Sequence, residues 1–332
     1  MRRANRRQFF SLRATPVPER SGYWLHLHRT AMACRFEITL PAGAAADLTA
    51  ARQALDEIDR LENQLTVYRD SSEVSFINQT AGQRAVPVEP NLFELLALAR
   101  KLHEETDGAF DITAGPLIRC WGFFQRHGRV PALEELEAAR ASVGMHHVVL
   151  DSEKKSVRFQ SPNVEINLGS IGKGYALDRV ASSMRSRVNF ALLSGGNSSV
   201  VAIGNGSGDG WRVGLRHPRA KNSRLAVFKL CDCAMGTSGA GEQYFENGGK
   251  RYGHILDPRS GMPAEGVVLV SVIASSAALA DALATAFFVG GRELAERYCC
   301  SHSGILVLML EEGNLTPVII GERKLCNLEV IC

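Results

Sequence analysis

An α+β fold with mixed sheets and packed helices is what this chain predicts. Helical stripes and short apolar strand runs both occur, and they alternate without a regular strand–helix–strand rhythm. Hydrophobic residues make up 45% of the 332, enough for a large buried core in one or two domains. The second half is richer in strand, with Gly-rich turns between short runs.

Residues 34–40, CRFEITL, alternate as a strand does. Residues 47–64 read as a helix, with Leu48, Ala51, Leu55, Ile58 and Leu61 on one stripe. A second helix covers 92–105 through Leu92, Leu95, Leu96, Ala99 and Leu102, and Thr106-Asp107-Gly108 stops it. SVRF and VEINL read as paired strands around Ser161-Pro162-Asn163, and 175–186 as a helix. Short strands are expected at 190–194, 199–204, 211–215 and 225–230. A buried strand at 267–274 leads into a helix from about Ser276 to Val289, and strands at 304–310 and 316–321 close the chain. The organisation expected is a basic N-terminal tail over 1–30 and a folded domain over 31–325, either undivided or in two subdomains.

Net charge is +3, and no basic stripe with interleaved aromatics appears, which argues against nucleic acid as a partner. No apolar run approaches the ~20 residues of a membrane helix, so no transmembrane segment is expected. Arg6-Arg7 before Gln8, Phe9 and Phe10 resembles a twin-arginine export signal. The roughly 7–15 apolar residues such a leader needs are interrupted by Arg13, Glu19, Arg20, His26, His28 and Arg29. The start reads as a degenerate leader or a plain basic tail. The eight cysteines show no C-x-x-C pair, and their scatter fits a reducing compartment. A cytoplasmic location is therefore expected over periplasmic export.

Several short stretches carry chemistry. INLGSIGKGYALD (166–178) resembles a phosphate loop, but only two residues separate Gly169 from Gly172, and Gly174 stands where a hydroxyl should follow the lysine. It is not a Walker A motif. Backbone amides at a helix start, close-approach glycines and Lys173 still suit an anion, against the plainer reading of a strand-to-helix turn. GNGSGDG (204–210) lies between two strands and reads as a hairpin loop, not a dinucleotide fingerprint. Asp281 and Thr285, four apart on one helix, share a face. Together they offer hard oxygen ligands for Mg²⁺, or else a simple side-chain hydrogen bond. His254, at the end of a short strand, is a candidate general base or a structural histidine. Tyr68 could stack on a planar ligand or be an ordinary half-buried tyrosine. TDGAFDITAGPLIRCWGF (106–123) lines a pocket or packs a core.

Six blocks in order, LTVYRDSSEVSFIN, TDGAFDITAGPLIRCWGF, INLGSIGKGYALD, LLSGGNSS, GTSGAGEQYFENGGKRYGHILDPRSGMP and ASSAALADALATAFFVGG, together resemble the ApbE family of FAD:protein FMN transferases. The resemblance runs from about Met32 to Gly290. It implies a T-fold-like α+β architecture around an FAD cleft. It also implies Mg²⁺-dependent cleavage of FAD, with FMN joined by a phosphoester to a Thr or Ser hydroxyl of an acceptor protein and AMP leaving. Acceptors of this family are typically redox-complex subunits or small flavin carriers. By resemblance Met32, Tyr68, Ala109, Phe110, Asp111, Asn167, Lys173 and Ile255 match FAD contacts. Ser170, Asp281 and Thr285 match Mg²⁺ ligands, and His254 the proposed base. The chain departs from the family at three places. Asn167 stands where an Asp is usual, Ala278 replaces an acidic residue three before Asp281, and MGT reads Met32-Ala33-Cys34. Two alternatives compete with transfer: an FAD pyrophosphatase giving FMN and AMP, and a flavin-binding protein without turnover.

Overall fold

The computed structural model describes residues 13–14, 24–41, 45–205, 210–220, 223–241 and 243–331. The twin-arginine-like stretch and the centre of GNGSGDG lie outside them. Its largest element is an eight-stranded antiparallel sheet. The strands are β1 (Trp24–Ala31), β2 (Cys34–Pro41), β3 (Ala191–Gly195), β4 (Ser199–Ile203), β5 (Ala234–Gly239), β6 (Val267–Ala274), β7 (Leu306–Glu311) and β8 (Val318–Gly321). Their order across the sheet is their order along the chain. Seven helices are described: α1 (Ala45–Leu65), α2 (Glu73–Thr80), α3 (Pro90–Glu105), α4 (Gly115–Cys120), α5 (Leu133–Arg140), α6 (Gly172–Met184) and α7 (Ala277–Ser301).

The sheet is apolar on both faces because it separates two cores. Along β6, Val270 and Val272 enter the helix-side core, whereas Leu269 and Ile273 enter a second one. β7 divides in the same way, with Val307 and Met309 on one face and Leu306, Leu308 and Leu310 on the other. The helix-side core also takes Ile58 and Leu61 of α1, Leu92 and Leu96 of α3, Val180 of α6 and Phe287 of α7. The second core is closed by a four-stranded sheet of Arg13–Ala14, Trp211–Arg216, Arg224–Leu230 and Asn327–Val330. A smaller cluster, Leu117, Trp121, Phe123, Val143 and Leu256, packs under a hairpin of Tyr244–Asn247 and Lys250–Gly253.

Four expectations are corrected. VEINL is not a strand: apart from one bridge at Glu165 it is irregular, and SVRF pairs with Val148–Asp151 and Val86–Pro87 instead. GNGSGDG does not close a hairpin, because the strands before and after it belong to different sheets. α6 begins at Gly172, three residues early. α7 runs on to Ser301, past a break at Gly291, where φ is 70° and ψ −166°. Ordered structure also reaches N-terminal of residue 31. β1 alternates exposed His26, His28 and Thr30 with half-buried Leu25, Leu27 and Arg29, a strand pattern at a sheet edge.

Candidate active site

Asp281 lies in the second turn of α7, where that helix crosses β5 so closely that a side chain at Gly236 would come within 2.4 Å of the Ala280 backbone. Its carboxylate is 7% exposed. Ser199 Oγ, at the start of β4, stands 2.8 and 2.7 Å from its two oxygens, and the Gly174 amide donates to Oδ2 at 2.8 Å. Burial pushes its pKa up to about 7. The Lys173 charge, the Ser199 hydroxyl and the Gly174 amide pull the other way. One turn on, Thr285 Oγ1 donates to the Asp281 carbonyl at 3.2 Å and lies 3.2 Å from Ser238 Oγ of β5. The donor set is all oxygen, held between a helix and a sheet.

Packing explains the glycine in the first turn of α6. At Gly174 an added Cβ would meet the Ala277 carbonyl oxygen at 2.2 Å, so only glycine lets α6 dock on the head of α7. Each helix then caps the other. Asp178 of α6 accepts from Ala277 N at 2.7 Å and Ala278 N at 2.8 Å, while Asp281 of α7 accepts from Gly174 N. Burial raises the Asp178 pKa, with the amides of Ala278 and Ala277 opposing. Ser276 adds a side-chain cap to Leu279 N at 3.3 Å. Lys173 projects from the first turn of α6, which has no side-chain cap of its own, and Ser170 occupies the half-buried turn just before it. Asn167 holds that turn: its backbone N–H donates to the Ile112 carbonyl at 2.7 Å, and its side-chain Oδ1 accepts from Gly169 N at 2.9 Å.

The other predicted residues fall on flanking segments. Met32 and Ala33 form the β1–β2 turn at φ 48° and 58°, a left-handed pair built without glycine. The Met32 amide donates to Glu62 Oε1 at 2.9 Å. Cys34 abuts Gly196, and the Gly196 amide donates to the Arg35 carbonyl at 2.8 Å, so this turn adjoins the LLSGGNSS loop. Tyr68 is 64% exposed, and its ring stacks on Phe124 at 4.6 Å between centroids. The Arg119 guanidinium sits 3.7 Å from the same Phe124 ring. Ala109, Phe110 and Asp111 are all buried. The Asp111 carboxylate is turned inward, to Thr113 N and Oγ1 at 2.7 and 2.6 Å and to His103 Nδ1 at 3.1 Å. Ile255 packs against the main core, and its carbonyl accepts from Ala264 N at 2.9 Å. His254 follows the hairpin directly, with Nδ1 3.1 Å from the Gln243 carbonyl. A carbonyl only accepts, so Nδ1 carries the proton and the lone pair falls on Nε2. That is the tautomer a general base requires.

Asp281 and Lys173 meet at the α6–α7 junction, with Thr285 one turn on along α7 and Ser170 in the turn that leads into α6. Sequence reasoning missed Ser199, Ser238 and Asp178. Ser199 and Ser238 stand in two of the matched blocks, and only the pairing Ser199↔Gly236 across β4 and β5 shows that they meet α7. Asp178 ends the GKGYALD run, and its spacing from Lys173 gives no hint of a cap on a helix 99 residues away.

An oxygen-donor cluster beside a lysine-bearing helix start is the arrangement of an enzyme acting on a phosphate-containing substrate. The chain belongs to the ApbE family, whose model matches residues 32–309. It is 31% identical over 265 residues to the FAD:protein FMN transferase of Escherichia coli K12, covering 78% of this chain and 76% of that one. A Klebsiella pneumoniae FAD:protein FMN transferase is 37% identical over 254 residues, 74% of this chain and 77% of that one. Among solved structures, the Thermotoga maritima ApbE protein superimposes with a TM-score of 0.82 at 33% identity, covering 91% of this chain and 98% of that one. Flavin transferase ApbE from Vibrio cholerae gives a TM-score of 0.80 at 27% identity, over 92% and 98%.

Proposed function

We propose that this protein transfers the FMN part of FAD to a Thr or Ser hydroxyl of an acceptor protein, releasing AMP. The observation that carries this reading is the buried Asp281, with Thr285 one turn on and Lys173 alongside, in a chain of this family. Mg²⁺ fits the donor set, which is hard oxygen throughout. Asp281 and Thr285, with Ser170 from the turn before α6, would hold it, and it would offset charge on the pyrophosphate.

The chain's own groups supply the rest. Lys173 and the start of α6, whose N-cap residue Ile171 makes no side-chain cap, attract the pyrophosphate. The exposed Tyr68 ring, braced by Phe124, offers a face for a planar ring system. His254 Nε2 takes the proton as the acceptor oxygen attacks the FMN phosphorus. A bond forms from the acceptor oxygen to the FMN phosphorus, the bond from that phosphorus to the bridging pyrophosphate oxygen breaks, and AMP leaves carrying the bridging oxygen. Catalysis of this kind is mostly positioning and charge neutralisation.

The test mixes protein, FAD, Mg²⁺ and an acceptor bearing an S/T-G-A-T-like sequence, and reads covalent flavin fluorescence on the acceptor. Wild type is expected to label it, and Asp281→Ala to lose at least about 100-fold of the rate. Intact FAD and an unlabelled acceptor would overturn the reading. FMN release without acceptor, as fast as transfer, would favour the pyrophosphatase instead.

A further inference from the structure

We propose that two sheet hydroxyls, Ser199 and Ser238, are positioning residues for the cation site on α7, with Ser199 the dominant one. The inference rests on the flavin-transferase reading with Mg²⁺ at Asp281 and Thr285. It assigns work to the LLSGGNSS block, which the mechanism above leaves unused. Ser199 is fully buried, and its hydroxyl lies almost equidistant from the two Asp281 oxygens, at 2.8 and 2.7 Å. One hydroxyl hydrogen placed between two oxygens fixes the plane of the carboxylate as well as its rotamer. Ser238 does the equivalent for Thr285, with the two hydroxyl oxygens 3.2 Å apart. Both serines come from paired strands: Ser199 sits opposite Gly236, two residues before Ser238 on β5. Gly236 has no side chain, which is what lets α7 close onto these strands.

The two ligand side chains of the helix are therefore both held by the sheet beneath, Thr285 through Ser238 in addition to the Asp281 carbonyl of its own helix. Groups that orient a metal ligand in this way typically change affinity by 10- to 100-fold when removed. Ser199→Ala removes the side-chain hydroxyl that donates to Asp281 while leaving the Gly174 amide in place. Ser199→Thr keeps the hydroxyl.

The experiment is calorimetric titration of the purified full chain with MgCl₂, with and without saturating AMP, alongside a thermal melt. Ser199→Ala is expected to bind Mg²⁺ 10- to 100-fold more weakly than wild type, Ser238→Ala about threefold more weakly, and Ser199→Thr within threefold of wild type. An unchanged Mg²⁺ affinity in Ser199→Ala overturns the proposal. If Ser199→Ala fails to melt cooperatively, Ser199→Cys decides. It holds the volume with a much weaker donor, and wild-type affinity there overturns the proposal equally. Wild type that binds no Mg²⁺ under either condition overturns the metal reading itself, an outcome distinct from wild-type binding that the variants share.

Discussion

At the scale of single residues, Asp111 separates what a motif marks from what its side chain does. The AFD block is a recognisable signature, yet its carboxylate is buried against Thr113 and His103. Burial works to lower the His103 pKa, and the neighbouring Asp111 outweighs it, so the net shift is upward. A histidine raised in the folded state contributes stability that is full below its unfolded pKa of about 6.5 and is lost as pH rises through the folded value. Wild type is therefore expected to lose stability as pH rises from about 6 to 8. His103→Gln should flatten that slope, read from melting midpoints across the range. An identical slope in the variant would refute it. Residue types and their order were legible in the sequence at Asp281, Thr285 and His254. Side-chain direction was not, because Asn167 and Asp111 both spend their oxygens on nearby backbone or side-chain donors that no spacing rule exposes.

At the scale of elements, the glycine run before α6 looked like an anion loop and serves first as a helix-docking surface. Gly174→Ala places a methyl against the Ala277 carbonyl, where there is 2.2 Å of room, and it displaces the amide that Asp281 accepts from. A cost of about 1–3 kcal/mol in denaturant unfolding is expected, with transfer activity falling together with stability. Activity and stability both unchanged would contradict the docking role. Most long elements could be read from periodicity: α1, α3, β6 and the start of α7 all show their apolar stripes. Short elements could not. α5 buries no residue, and β5 reads AMGTSG, in which Met235 fills the second core while Gly236 admits α7. The continuation of α7 past Gly290-Gly291 was hidden for the opposite reason. Two glycines normally end a helix, whereas here Tyr298 and Leu294 anchor a second segment to the main core.

At the scale of the whole molecule, one sheet laid down in chain order carries most of the site on the segments between its strands, with Ser199 and Ser238 on the strands themselves. α1–α6 lie between β2 and β3, the four-stranded sheet's central pair between β4 and β5, and the His254 hairpin between β5 and β6. Two cores result, and the second is sealed by the C-terminal strand Asn327–Val330 pairing with Arg224–Leu230. Removing residues 326–332 should uncover Phe228 and Leu230. The expected loss is on the order of 2 kcal/mol from the buried Cys326 and half-buried Leu328, with increased binding of an apolar dye. A truncated chain with an unchanged melt and no dye binding would show that this strand is dispensable. The α+β class followed from the mixture of patterns alone. The two-core division did not, since a strand apolar on both faces is compatible with several architectures.

The mutual capping of α6 and α7 has a thermodynamic consequence. Asp178 and Asp281 each stabilise the other's helix, so the two heads form a single cooperative unit, and neither can tilt without breaking a buried charge-assisted hydrogen bond. A cation that draws on Asp281 is therefore linked, through Gly174, to the position of Lys173 one residue away. Were Mg²⁺ to bind there as proposed, its coupling to an anion beside Lys173 would be reciprocal, each raising the other's affinity by the same factor.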